Sequence, residues 1–283
     1  MFFSLLLVAT MSQTTTVAIP AQKDATLIED SGGGAANGQG PHFFVGRTSQ
    51  GANAVRRGLL RFDVTRYVPA AARIEAAALT LNVSQTNAGP TQVSLHRVLF
   101  DWGEGPSSSS GGQGAPALPG DSTWMHRFHD SEYWFKPGGH FVVAASARTV
   151  VAGLGSYVWD DESLARDVRL WSRLPSRNFG WAILGDESAP TTVKRFDSRE
   201  NPTLAVRPVL VVTYRLPAPR SGPPAGSLSR TAPDPACDGE SDIVMGRPAG
   251  RRAGVRDTLP HPVVFGRNRT CDERLPMREA TPR

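Results

Sequence analysis

Two cysteines, Cys237 and Cys271, and three lysines are all that the 283 residues contain. So few cysteines exclude a disulfide-stapled mini-fold. No apolar run reaches the ~18 residues that a membrane-crossing helix needs. Long basic blocks are also missing, the longest being the pairs Arg56-Arg57, Lys194-Arg195 and Arg251-Arg252. The formal charge of +5 therefore rests on scattered arginine, 28 residues of it, and a nucleic-acid partner is not expected. Gly-x-Ser-x-Gly, His-Glu-x-x-His and a phosphate-cradling glycine loop are absent, which removes three common kinds of catalytic or nucleotide site. Against 22 aromatics stand 28 glycines and 23 prolines, a balance that favours many turns over a helical bundle.

Composition divides the chain unevenly. Met1 to Thr10 is a short apolar segment followed by polar Ser12 to Thr16, so residues 1–18 read as a secretory leader and the protein as secreted or cell-surface. From Pro217 onward the chain holds 11 of the 23 prolines, both cysteines and a single aromatic, Phe265. So few apolar side chains do not offset the entropy of ordering, and residues 216–283 read as a disordered tail. Residues 19–215 lie between and read as one domain.

That domain alternates with period two. Leu60, Phe62 and Val64 share one face, as do Ala77, Leu79, Leu81 and Val83. Val93, Leu95, Arg97 and Leu99 repeat the pattern, followed by Phe179, Trp181 and Ile183. Pro208 to Tyr214 is rich in β-branched residues and reads as a closing strand. Glycine and proline turns separate these runs, which predicts an all-β, jelly-roll-type sandwich. One helix interrupts it. Asp160-Asp161-Glu162 favour a helix N-terminus, Leu164, Val168 and Trp171 share a face, and Pro175 follows. This short helix is expected to cap an open end of the sandwich.

The least ordinary stretch is 101–141. Its Ser107–Gly114 part is Ser/Gly-rich and reads as disordered, whereas Trp124, Phe128, Tyr133, Trp134 and Phe135 crowd the second half. A loop this long inside a compact domain is functional or disordered. The aromatics either offer flat faces to sugar rings or plug an edge of the sandwich. Trp124, Tyr133 and Trp134 are the stacking candidates. Arg61, Arg127, Lys194 and Arg195 are the candidates for carboxylate or hydroxyl contacts. His126 and His129 stand three apart without a third spaced ligand, so a metal there is not expected. Asp101 and Glu104 read as turn residues rather than a glycosidase pair. Asp24 and Glu29 are the candidates for a structural calcium ion, and no other cofactor is expected. A lyase reading would use Tyr133, His126 and Arg127.

These residues also carry a resemblance. Leu59-Leu60-Arg61-Phe62-Asp63-Val64, Asp101-Trp102-Gly103-Glu104-Gly105, Gly120-Asp121-Ser122-Thr123-Trp124, Asn178-Phe179-Gly180-Trp181 and Phe196-Asp197-Ser198-Arg199-Glu200 occur in the same order in the DNRLRE-domain family. That family is similar to carbohydrate-binding module family ninety-six, whose studied member type recognises alginate. The resemblance covers about 20–214. It implies a secreted bacterial jelly-roll sandwich of a kind often appended to polysaccharide-degrading enzymes or surface proteins. The function expected here is non-catalytic polysaccharide binding or surface attachment, with a purely structural surface domain as the alternative.

Overall fold

The computed structural model describes residues 13–218. Most of the expected leader lies outside these residues, as do positions 219–283 of the expected tail and both cysteines. Thr14–Ala18, the last part of the expected leader, belong to the first strand.

The described residues form an all-β domain with two short helices. In chain order the elements are β1 (Thr14–Ile28), β2 (Ala35–Asn37), β3 (His42–Arg47), β4 (Val55–Phe62), α1 (Val64–Tyr67), β5 (Arg73–Thr86), β6 (Thr91–Arg97) and β7 (Ala115–Pro116). There follow β8 (His126–Phe128), β9 (Glu132–Tyr133), β10 (Ala147–Val151), β11 (Gly155–Trp159), α2 (Glu162–Arg173), β12 (Trp181–Leu184), β13 (Lys194–Asp197) and β14 (Val209–Arg215).

The two-sheet jelly-roll sandwich expected from the alternation is not what forms. Strands β1, β4, β3, β13, β5 and β14 pair in turn and close a six-stranded barrel. Outer strands extend it: β12, β6 and β10 from β4, β2 and β7 from β1, and β11 on β5. Closure depends on two strands that change partner along their length. β1 pairs with β14 from Thr14 to Pro20, then with β4 from Ala21 to Ile28, with a register shift between Ala21 and Lys23. Pro20, which has no N–H to donate, stands at the handover. β3 pairs with β13 from His42 to Val45 and passes to β4 at Gly46 and Arg47. Gly46 makes that turn at φ 107°, where a Cβ would sit 2.9 Å from the Thr192 carbonyl oxygen. Alternation reports which face a residue occupies. It does not report that one strand serves two neighbours, so the closure was invisible in the pattern.

The alternating residues do fill the interior. Leu60, Phe62, Val64, Ala77, Leu79, Leu81, Val83, Val93, Leu95, Trp181 and Ile183 form one buried cluster. Helix α2 closes over it with Leu164, Val168 and Trp171, whose indole lies 4.4 Å from that of Trp181. Arg169 on the same helix donates to the Ile74 and Glu75 carbonyls of β5, both at 2.9 Å. Phe179 leaves the expected face because Gly180, at φ 77°, interrupts the period; a Cβ there would meet the Leu60 carbonyl oxygen at 2.1 Å. Phe179 turns instead to a second cluster of Ala25, Leu27, Leu59, Val98, Trp102, Trp134 and Ala182. This second cluster is the floor beneath the long loop.

Candidate functional site

The strand pairings between β6 and β10 are short, β7 with β2 and β8 with β9, and buried polar groups hold the rest of the loop. Asp121 is fully buried and accepts from the Ser107 N–H at 3.1 Å and the Leu118 N–H at 2.7 Å. Asn37 accepts from the Ser109 N–H at 2.9 Å. Arg56, buried in β4, donates to the Gly112 carbonyl at 2.5 Å. Ser107–Gly114 is therefore placed, contrary to the reading from its Ser/Gly content. Polar anchors supply the ordering that the segment's own side chains do not.

A carboxylate–arginine lock ties the loop to β1 and to the segment after β13. Glu104 receives both arms of Arg199, at 2.7 and 2.8 Å, and the Asp24 N–H at 2.9 Å. Asp24 in turn accepts from the Arg199 N–H at 2.8 Å. Burial, and then the neighbouring Glu200, push the Asp24 carboxyl well above its ordinary range. Glu29, the other calcium candidate, accepts from the Val55 N–H at 2.9 Å. Among the described residues, no group of three or more His, Cys, Asp or Glu is placed to hold a metal ion.

The three stacking candidates part company. Trp134 is buried and donates its indole N–H to the Thr123 carbonyl at 3.0 Å. Trp124 is half-buried beneath the Arg57 guanidinium, 4.8 Å from its ring, and Arg57 is held by both oxygens of Glu187 at 2.8 and 2.9 Å. Tyr133 is 64% exposed and lies 4.3 Å from the His126 ring. His126 is buried, shares a hydrogen bond with Thr123 Oγ1 at 3.0 Å, and is driven toward its neutral form by burial and then by His129.

Three rings outside the stacking candidates complete the surface. Phe135, 87% exposed, lies 5.4 Å from the His140 ring, and His140 lies 5.1 Å from Phe100, itself 42% exposed. Beyond Phe100 the Arg127 guanidinium stands 5.7 Å from the ring. Phe135, His140, Phe141, Val143, Leu184, Lys136 and Arg57 line an open, largely apolar cleft of about 580 Å³. The available signal was local: Tyr133 out, Trp134 in, Phe135 out is a period of two within the loop. Phe100 carries no such signal, because it arrives from the start of the loop, while His140 follows Phe135 in the same stretch.

The cationic candidates also divide. Arg61 lies 3.5 Å from Asp101, which also accepts from Lys23 at 3.0 Å. Lys23 also donates to the Trp102 carbonyl and lies 4.2 Å from that indole. Burial alone would raise the Asp101 carboxyl, but Lys23, the Trp102 N–H and Arg61 outweigh it and hold it below its usual value. Arg127 donates to the Asp101 carbonyl at 3.1 Å and pairs with Glu132. Around Asp101, two cations, Lys23 and Arg61, thus face one half-exposed carboxylate, while Arg127 binds the backbone carbonyl. Lys194 and Arg195 are placed elsewhere. Lys194 is buried and donates to Gly89 O at 3.1 Å, Ala152 O at 3.2 Å and Thr86 Oγ1 at 3.4 Å. Arg195 donates to Ser84 and lines a smaller cleft of about 260 Å³ with Phe44, Gln85, Asn87 and Ser110. Compared with protein-family models and with curated proteins, the chain matches none.

Proposed function

We propose that this domain is a non-catalytic, exported carbohydrate-binding or surface-attachment module whose ligand is a polysaccharide, with the acidic ones favoured. The observation that carries the reading is the row of Phe135, His140 and Phe100, spaced 5.4 and 5.1 Å apart, with Arg127 at its end. A single exposed ring is ordinary on a surface, whereas contiguous exposed rings mark an interaction site. Their faces suit the C–H surfaces of pyranose rings, while Arg127 and Arg61 suit hydroxyls or carboxylates. The order of motifs shared with the DNRLRE-domain family supports the same reading.

Affinity electrophoresis against alginate, pectin and a neutral glucan tests it. Retardation on at least one gel, lost in Phe135→Ala/Phe100→Ala, is expected. Unchanged mobility on all of them rejects it. The reading as a purely structural surface domain is favoured by a different observation. The motif residues Trp102, Asp121, Thr123, Trp181 and Asp197 are buried, and Glu104 and Arg199 grip each other. That reading expects no retardation and a normal melting transition. A lyase using Tyr133, His126 and Arg127 would instead raise ultraviolet absorbance on mixing with uronate polymers.

A further inference from the structure

A second cleft, of about 550 Å³, lies where the end of α2 meets the start of β5. Its wall carries Arg73, Arg169, Arg173, Glu75 and Ser172. Two of these charges are already engaged. Arg169 is bound to Glu162 at 2.5 Å and to two β5 carbonyls, and Glu75 is paired with Arg215 at 2.9 Å. Arg73 and Arg173 are exposed and have no side-chain partner among the described residues. Arg173 alone would need no explanation, since a cation in the last turn of a helix answers the partial negative charge there. Arg73 comes from β5, so the capping of α2 by its own last-turn cation does not account for it. It adds a further positive charge to a concave surface that already holds Arg169 and Arg173, against a single, neutralised carboxylate. Such convergence is unfavourable for the empty protein and favourable once an anion enters, because a cleft concentrates the field of the charges lining it.

We propose that this cleft is an oxyanion site, taking a sulfate or phosphate group through the Arg73 and Arg173 guanidiniums with the Ser172 hydroxyl beside them. Guanidinium is the side-chain group best shaped for such a ligand, since its N–H pairs match two oxygens at once. The site is separate from the aromatic row and does not depend on the polysaccharide reading. The group could be a free ion or an ester on a sugar chain, and titration calorimetry at low ionic strength separates the two. The probes are inorganic sulfate, inorganic phosphate, a sulfated glycosaminoglycan oligosaccharide and its desulfated counterpart, each added to the full chain.

Binding of at least one sulfated or phosphate probe is expected, and Arg73→Gln/Arg173→Gln should weaken it at least tenfold. Arg66→Gln/Arg166→Gln, which removes two arginines outside the cleft, should leave it unchanged. Tighter binding of the sulfated oligosaccharide than of sulfate assigns the site to an ester; equal binding assigns it to the free ion. Both positions of the first pair are exposed, so matching melting curves for the two double variants show that neither has unfolded. No heat with any probe, or equal loss in the two double variants, overturns the proposal.

Discussion

Asp24 and Arg199 hold each other through unlike groups: the Arg199 backbone N–H donates to the Asp24 carboxylate at 2.8 Å, and both residues converge on Glu104. β1, the 101–121 loop and the segment after β13 therefore meet at one point. Glu104→Ala leaves the Asp24 N–H without its acceptor and the Arg199 guanidinium with Glu200 as its remaining carboxylate partner, at 2.7 Å. The pair is partly open to water, which lowers its worth, and a loss of about 1–3 kcal/mol is expected. Urea denaturation of Glu104→Ala beside Glu104→Gln checks it. The glutamine keeps an acceptor for the Asp24 N–H and should recover part of the loss.

The same cluster sets a pH dependence. Burial raises the carboxyl of Asp24, and it raises that of Glu200 despite the opposing charge of Arg199. A raised carboxyl means that the folded chain holds its proton more tightly than the unfolded one. Stability from these two groups is full below the ordinary carboxylate range and is lost as pH rises through their raised values. Asp101, held low once Lys23 and Arg61 outweigh its burial, runs the opposite way and loses its contribution as pH falls. Asp24→Asn removes the largest rising group. Its melting temperature relative to the parent should increase between about pH 4 and pH 8. A constant difference across that range would assign the raised proton elsewhere.

Adjacent residues in the aromatic loop should behave oppositely. Trp134 fills the floor of the second cluster, so Trp134→Ala is expected to cost about 3–5 kcal/mol. Phe135 is almost fully exposed, so Phe135→Ala should stay within about 0.5 kcal/mol of the parent while weakening polysaccharide binding. Thermal melts of the two variants, followed by affinity gels, separate support from contact.

Lys194 buries an ammonium among oxygens that carry no formal charge. Lys194→Ala removes the stem that fills the space and leaves the Gly89 and Ala152 carbonyls bare, a loss of about 2–4 kcal/mol. Lys194→Met keeps the volume and removes the charge that burial disfavours, so its loss should be under about 1.5 kcal/mol. If methionine is as harmful as alanine, the hydrogen bonds rather than the packing carry the position.

Gly46→Ala places a methyl group against the Thr192 carbonyl at a φ that alanine avoids. A loss of about 2–3 kcal/mol is expected. Because this residue passes β3 from β13 to β4, hydrogen exchange should speed up in β3 and β13 before it does in β6 or β10.

What the sequence made legible was the inside. The alternating residues of β4, β5 and β6 and the apolar stripe of α2 are buried as their spacing requires, because one face of each element must leave water. Partner choice was not legible. Alternation in β1 looks the same whether the strand keeps one neighbour or exchanges β14 for β4. Nor did the count of aromatics in 101–141 separate floor from surface. Trp124 and Trp134 are drawn inward by Arg57 and the Thr123 carbonyl, while Phe100 reaches the Phe135–His140 pair from the other end of the loop. The Ser/Gly run misled for a related reason: its ordering energy sits in Asp121, Asn37 and Arg56, outside the run itself.

The antiparallel pairing of β1 with β14 sets Thr14 directly across from Arg215. Tension arriving through the chain on either side of that pair would load its rungs in series, not all at once. Thr14 and Arg215 would part first, and the split would run inward to Pro20 and Val209, where β1 passes to β4 and the ring would open. A domain threaded in this way yields by peeling, lengthening under modest load and re-zipping when the load falls.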